Sequence, residues 1–542
     1  MKQYHIVAIL LVFFNSCSEE KVKPIELPIS SLNSEAISFF NKAEIHRENL
    51  EFDEANKNYR LALDLDPNFI LALINKEDNG IINYRTIDLS NKNTDFLETI
   101  ISQGTDYEKI LFEMYKIPYR ASDSVLTNKR LKLAQKLVDL YPNLVAPLNI
   151  LQAQLSPSLS DSNKDFLIIK RNTILKAIEL FPKSHVAYEA LLSLDFGGAG
   201  YSSKFRSDPG FYQLFESKAE DFLSKFPNSP LILRKAANIY RNSYDYIDQN
   251  RYKKSLDLYD KLLRILEAKK SSFYGPVLKF KADLLLNVGQ KIESYSTMKL
   301  AINSSSSVVQ KIESYFQLFV LYIAGGDYID AIKEINTFDQ KLDDGFFDSD
   351  GNEIIESLWL KSKVSLNLYK AIIYAHANQY DRANNSLKDY KDYAFKTIEY
   401  FEIKNINDFQ KYYTQNDLPK ANVKWNTIHP QALSFYEAWV AVLTGNDERY
   451  NLIIKNITNG SVLKGIYNVM KGNYERGIEI LSKSGNQFNS SQFNRYFRAQ
   501  ALIGLGRIDE AKSTLNYLRY MPYINFDAAF VKYRAAKLYE SM

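Results

Sequence analysis

The chain has 542 residues, more than a single hydrophobic core organises, so several domains or a repeat array is expected. Hydrophobic residues make up 46% and charged residues 24%, the proportions of a soluble folded protein. Lys+Arg 68 against Asp+Glu 64 leaves a formal net charge of +4, too small and too dispersed for a nucleic-acid groove, so no nucleic-acid partner is expected.

The first element is a short export signal. Met1-Lys2-Gln3-Tyr4-His5 precedes a wholly apolar run from Ile6 to Phe14, followed by Asn15, Ser16 and the only cysteine, Cys17. A positive end, a run of this length and a small residue before the break predict a signal peptide over residues 1–16. The run is too short to span a bilayer as a helix, and no later stretch offers the roughly eighteen uninterrupted apolar residues a span needs. A single cysteine excludes an intrachain disulfide. Residues 17–31, with Ser18-Glu19-Glu20 and the prolines Pro24 and Pro28, read as an extended flexible tether.

Phe14-Asn15-Ser16-Cys17 resembles the lipobox of bacterial lipoproteins. Ser16 matches the small residue of that pattern, while Phe14 and Asn15 differ from its usual leucine and small residue. The resemblance implies that Cys17 becomes the new N-terminus and the lipid attachment site, its thiol carrying diacylglyceryl and the chain carrying acyl groups such as palmitate. Ser18-Glu19-Glu20 resembles the acidic export signal of Bacteroidetes lipoproteins. That implies a lipid-anchored outer-membrane protein, on either the cell surface or the periplasmic face.

Helical periodicity dominates from Leu32 onward, and it repeats. Counted from Ala36, the residues Phe39, Ala43, His46, Ala55, Tyr59, Ala62 and Pro67 fall at positions 4, 8, 11, 20, 24, 27 and 32 of a unit about 34 residues long. Small side chains at such spacing let two antiparallel helices approach, bulky ones fill the gaps, and proline ends the second helix. Gly465, Gly472, Tyr474, Gly477 and Leu481 recur as Ala499, Gly506, Ile508, Ala511 and Leu515. Ala282, Leu285, Gly289 and Met298 are answered by Phe319, Tyr322, Gly326 and Ile335, and a further unit carries Ala371, Tyr374, Tyr380, Ala383 and Leu387. Gly472 and Gly506 fall at hairpin turns, where a positive φ favours glycine. Leu140-Tyr141-Pro142, Leu180-Phe181-Pro182 and Lys225-Phe226-Pro227 each read as the end of a second helix.

This pattern resembles the tetratricopeptide repeat. The fold expected is all-α, a solenoid of roughly seven to eleven antiparallel hairpins, with arrays over residues 32–195 and 212–542. Residues 196–211, with Gly197, Gly198, Gly200, Pro209 and Gly210, read as a linker loop between them. Phe526 to Met542 reads as an amphipathic helix capping the last hairpin.

No residue constellation carries an evident chemistry, so catalytic, cofactor-binding and metal-binding residues are all expected to be none. Asp343 to Gly351 is the most tempting cluster. Taking Gly351 as the turn glycine of a calcium loop puts Asp348 and Asp350 at ligand positions, but Phe346 and Ser357 then occupy the two ends. Gly504-Leu505-Gly506 lies at a hairpin turn rather than between a strand and a helix. Ser296-Thr297-Met298-Lys299 matches a serine–lysine spacing without its partner motifs. His5, His46, His185, His376 and His429 are too scattered to share a metal. Most of the 38 Tyr and 32 Phe fall at packing positions, while Trp425 and Trp439 are candidates to line a groove.

The family resemblance implies a non-enzymatic scaffold or adaptor that binds a protein or peptide on a concave helical surface. It would be held to the membrane through lipid on Cys17. The alternative is a glycan-binding outer-membrane lipoprotein similar to the SusD-like family, although hairpins that continue to the C-terminus leave its sugar-binding insertion hard to place.

Overall fold

The computed structural model describes residues 27–76, 94–117, 124–155, 164–197, 208–242, 250–305, 308–344, 356–404, 430–457, 461–483, 491–520 and 526–542. These fall into two compact units dividing between Ala187 and Tyr188, with Asn49–Glu51 grouped with the second. The first contains α1 (Ser34–Glu48), α2 (Phe52–Leu65), α3 (Ile70–Lys76), α4 (Thr94–Ile100), α5 (Asp106–Tyr115), α6 (Ser124–Leu140), α7 (Val145–Gln154) and α8 (Lys164–Leu180). Helix α9 (His185–Phe196) begins there and runs into the second unit. That unit continues with α10 (Pro209–Lys225), α11 (Pro230–Asn242), α12 (Asn250–Ala268), α13 (Tyr274–Asn287), α14 (Lys291–Asn303), α15 (Val308–Gly325) and α16 (Tyr328–Asp343). It is completed by α17 (Glu356–His376), α18 (Tyr380–Lys404), α19 (Pro430–Leu443), α20 (Asp447–Ile453), α21 (Ser461–Met470), α22 (Tyr474–Lys483), α23 (Ser491–Gly504), α24 (Ile508–Arg519) and α25 (Phe526–Glu540).

Among the described residues there is no strand. The described helices pack largely on their neighbours in sequence, so each unit is an α-solenoid of helical hairpins.

Two kinds of turn punctuate the array, and both come from local chemistry. Within several pairs the first helix ends in a left-handed residue: Gly289 (φ +85°), Gly326 (+84°), Gly472 (+79°) and Gly506 (+74°). The amide after each reaches back to the helix, as Gln290 N donates to Leu285 O at 2.9 Å and Asp327 N to Tyr322 O at 2.8 Å. This closes orphan carbonyls in a Schellman arrangement. Asn378 (φ +57°) fills the same role between α17 and α18, asparagine being the non-glycine residue that tolerates it best. Between pairs, Pro67, Pro142, Pro182 and Pro227 occupy the second position of tight turns, closed for instance by Ser184 N donating to Phe181 O at 2.9 Å. Helices α6, α8 and α10 end at Leu140, Leu180 and Lys225, where the prolines predicted they would.

In the first unit the core is built on the anticipated small-and-large pattern. Ala36, Ala43, Ala55 and Ala62 are buried beside Tyr59, whose ring lies 5.9 Å from Phe40. The pattern placed the bulky residue at Phe39, but Phe40 is the one fully buried. The buried stripe of α1 runs Ala36, Phe40, Ala43, Arg47, and Phe39 flanks it, covered by Lys42 at 5.0 Å from the ring centroid. Leu27 and Ile29 pack on the same core. The backbone there is held by α5's capping box, with Ser30 N donating to Glu108 Oε1 at 3.1 Å and Thr105 Oγ1 to the Pro28 carbonyl at 2.8 Å. Residues 27–31 of the expected tether are therefore docked.

The second unit separates its helices into enclosed and outward layers. In α15 every residue from Leu318 to Gly325 is buried, whereas α16 buries only the stripe Ala331, Ile335, Phe338 and Leu342. Phe196 packs on Phe211 and Phe215, each at 5.3 Å between ring centroids, joining the two ends of the glycine-rich stretch within this unit.

Candidate interaction surface

Cys17, the lipobox and the signal segment lie outside the described residues, as do His5, His429, Trp425 and most of the Asp343–Gly351 loop. Of that loop, Asp343 is described, and Lys363 Nζ pairs with its Oδ1 at 2.6 Å. The same ammonium meets Asp339 Oδ1 at 2.5 Å, and Lys370 adds a second contact to Asp339 at 2.6 Å. Burial works to raise the Asp339 pKa, but the hydrogen bonds from Lys363 and Lys370 outweigh it and hold the carboxyl below its usual range. Ser296 Oγ donates to the Glu293 carbonyl at 3.0 Å, while Lys299 pairs with Glu334 at 2.5 Å, so these two side chains serve separate structural contacts. Trp439 is buried in an aromatic cluster, edge-on to Phe493 at 4.5 Å, and forms core rather than groove.

The polar groups that the structure brings together form a ladder between successive hairpins of the second unit. Lys279 reaches Glu313 at 3.4 Å, and Gln317 Nε2 donates to Asp283 Oδ1 at 2.7 Å, both across 34 residues of sequence. Tyr295 donates to Asp327 at 2.5 Å, and Lys291 donates to the Gly325 carbonyl. Each bond joins one hairpin to the next, so the repeat period is also the period of the wiring. Asp283 is only 6% exposed, and burial pushes its carboxyl up to about 6 despite Arg241 and Gln317.

A second set of polar contacts was not visible in the sequence. Arg130, Lys170 and Lys532, each the seventh residue of its helix, extend back to the carbonyls that end the preceding helix. Arg130 Nη1 donates to Ile117 O at 2.6 Å, Lys170 Nζ to Leu155 O at 2.8 Å and Lys532 Nζ to Arg519 O at 2.8 Å. Donors placed there satisfy orphan carbonyls and face the negative end of the helix dipole.

Helix α25 does more than cap α24. Its Ala528, Ala529, Phe530, Val531, Lys532 and Ala535 are all buried, so its first half is enclosed, while Lys537 and Glu540 in the second half are exposed. It packs on α24 and α23, as a cap should, but also on α15. Phe526 stacks on Tyr369 with centroids 3.8 Å apart, and Phe530 stacks on His376 at 4.5 Å and 22°. Arg534 donates to the His376 carbonyl at 3.3 Å. Burial, with Arg534 adding to it, holds the His376 imidazole well below its usual pKa, and neither ring nitrogen has a hydrogen-bond partner. Tyr328 of α16 and Tyr369 and His376 of α17 thus form an aromatic seat for α25, with α23 packed beside it.

No family model matches the sequence, and no curated protein matches it. Among solved structures the chain is similar to the Cut9-Hcn1 hetero-tetramer of the APC/C, at 12% identity and a TM-score of 0.36, over 92% of this chain and 76% of that one. It is also similar to Naa15/Naa10 bound to HypK-THB, at 14% identity and a TM-score of 0.30, over 93% and 86%. A third similarity is to the TPR domain of P58(IPK), at 15% identity and a TM-score of 0.17, over 81% and 99%. The assignment as a helical-hairpin solenoid rests on the turns, packing and helix order of the chain itself.

Proposed function

We propose that this chain is a non-enzymatic scaffold that binds a protein or peptide partner through its helix array and is anchored in the outer membrane by lipid on Cys17. The observation that carries the scaffold reading is the in-register ladder of Asp283 to Gln317 and Lys279 to Glu313. It ties hairpin to hairpin and supports an extended, pre-organised surface, the property that solenoids offer a partner. The anchor rests on the apolar run Ile6–Phe14 and on Ser16-Cys17. Several acyl chains on one residue hold a protein at a membrane far more firmly than one chain does.

Labelled palmitate fed to cells tests the anchor. Label is expected on the native chain and absent from Cys17→Ser, which should leave the membrane fraction. Label retained by the variant overturns lipidation at Cys17. For the scaffold, the detergent-extracted chain is cross-linked and purified. A single stoichiometric protein partner is the expected result, and retention on polysaccharide with no protein bound overturns the reading.

A further inference from the structure

We infer that α25 is the resident occupant of a helix-binding seat in the second unit, and that a partner helix with aromatic residues at i, i+4 and i+7 competes for it. The inference rests on the scaffold reading and names the chemistry of its partner. The template is α25 itself, whose Phe526, Phe530 and Tyr533 have that spacing. Phe526 lies on Tyr369, Phe530 on His376, and Tyr533 against Gly326. Three anchors at this spacing on one helix face are how an amphipathic helix is read by a groove.

The way α25 is held separates it from the other helices of the unit. Neighbouring hairpins are wired by ion pairs and hydrogen bonds in register, such as Lys299 to Glu334 and Gln317 to Asp283. The distant side of α25 is held mainly by ring faces, together with Arg534 on the His376 carbonyl and against Tyr328, and Lys291 over the Tyr533 ring. Closure leaves both ring nitrogens of the buried His376 without partners. These groups regain water when α25 departs, so the seat opens at less cost than an interface whose polar groups are matched. The opened seat exposes an aromatic floor of Tyr328, Tyr369, His376 and Tyr496.

The test uses the full chain and a fluorescent peptide of residues 526–542. The native chain should bind it weakly, because the tethered helix holds the seat at high effective concentration. Phe530→Asp in the chain should eject α25 and raise peptide affinity at least tenfold, and adding Tyr369→Ala should remove that gain. A folded Phe530→Asp chain that does not bind overturns the inference. So does global unfolding of that variant, since α25 would then be core. Hydrogen exchange on the native chain gives an independent reading. Amides of α25 should exchange through an opening not shared with α15, and exchange at the same rate as α15 overturns the idea. Peptide capture without any cellular partner would leave the seat standing and remove only the scaffold reading.

Discussion

Tyr533 rests where Gly326 has no side chain, and a Cβ built on Gly326 would stand 2.5 Å from the tyrosine ring. The same glycine has φ +84°, so its position is fixed twice, by the turn that ends α15 and by the helix that closes against it. Gly326→Ala should cost about 2–4 kcal/mol, roughly 1–2 from the left-handed backbone and the rest from the clash. Tyr533→Ala should recover the second part only. A double-mutant cycle by urea denaturation should therefore show a coupling of at least about 1 kcal/mol, and strictly additive effects would show that the two residues do not constrain each other.

Asp283 makes the polar ladder pH-sensitive. Its folded pKa of about 6 lies above the ordinary 3.8, so the fold favours the protonated carboxyl. The corresponding stability is fully present below about pH 4 and is lost as pH rises through 6. Asp283→Asn keeps an oxygen for Gln317 and removes the charge. It should therefore flatten the decline between pH 4 and 6.5 and leave the chain about 1–3 kcal/mol more stable than native at pH 7. Urea midpoints for the two chains across that range measure the difference, and parallel curves would exclude Asp283 as the titrating group.

The legible parts of this fold are those set by local chemistry. Gly289, Gly326, Gly472 and Gly506 marked turns because positive φ is a property of one residue. Pro142, Pro182 and Pro227 marked helix ends for the same reason. Phe39 against Phe40 was decided by the rotation of α1 on its neighbours, and a one-residue shift on a helix moves a side chain by about 100°. The seat of α25 was illegible because its members come from helices far apart in sequence. Lys532 was illegible as well, since its role depends on where the end of α24 lies. Arg130 and Lys170 hid in the same way.

Glu108 fastens the start of the described chain. Its carboxylate accepts from Ser30 N and Oγ and from Thr105 N, and it is fully buried. Glu108→Ala removes one half of the capping box and leaves the Ser30 amide without its acceptor, which should cost about 1–3 kcal/mol. The local effect should exceed the global one. Limited proteolysis near Ser30 should accelerate well before the melting temperature shifts in proportion, and unchanged cleavage there would show that Leu27 and Ile29 hold the segment by packing alone.

Lys532 should give the opposite pH dependence to Asp283. Burial pushes its ammonium down to about 7 from an ordinary 10.5. Between those values the unfolded chain binds a proton that the folded chain does not, so stability rises with pH across the interval and is lowest below 7. The tyrosines limit the test to about pH 9, because burial raises buried examples such as Tyr259 and the unfolded chain would ionise first at higher pH. Between pH 7.5 and 9 the native chain should gain up to about 1.4 kcal/mol per unit from this group. Lys532→Met keeps most of the buried stem and removes the titration, so its stability over the same interval should be flatter by that slope. It also forfeits the hydrogen bond to the Arg519 carbonyl, which should cost about 1–2 kcal/mol at pH 9. The native and variant stability curves should therefore converge as pH falls toward 7, where the cost of discharging or burying the ammonium offsets the bond it makes. Curves that stay parallel down to pH 7 would show an ammonium that remains charged and solvated at the end of α24.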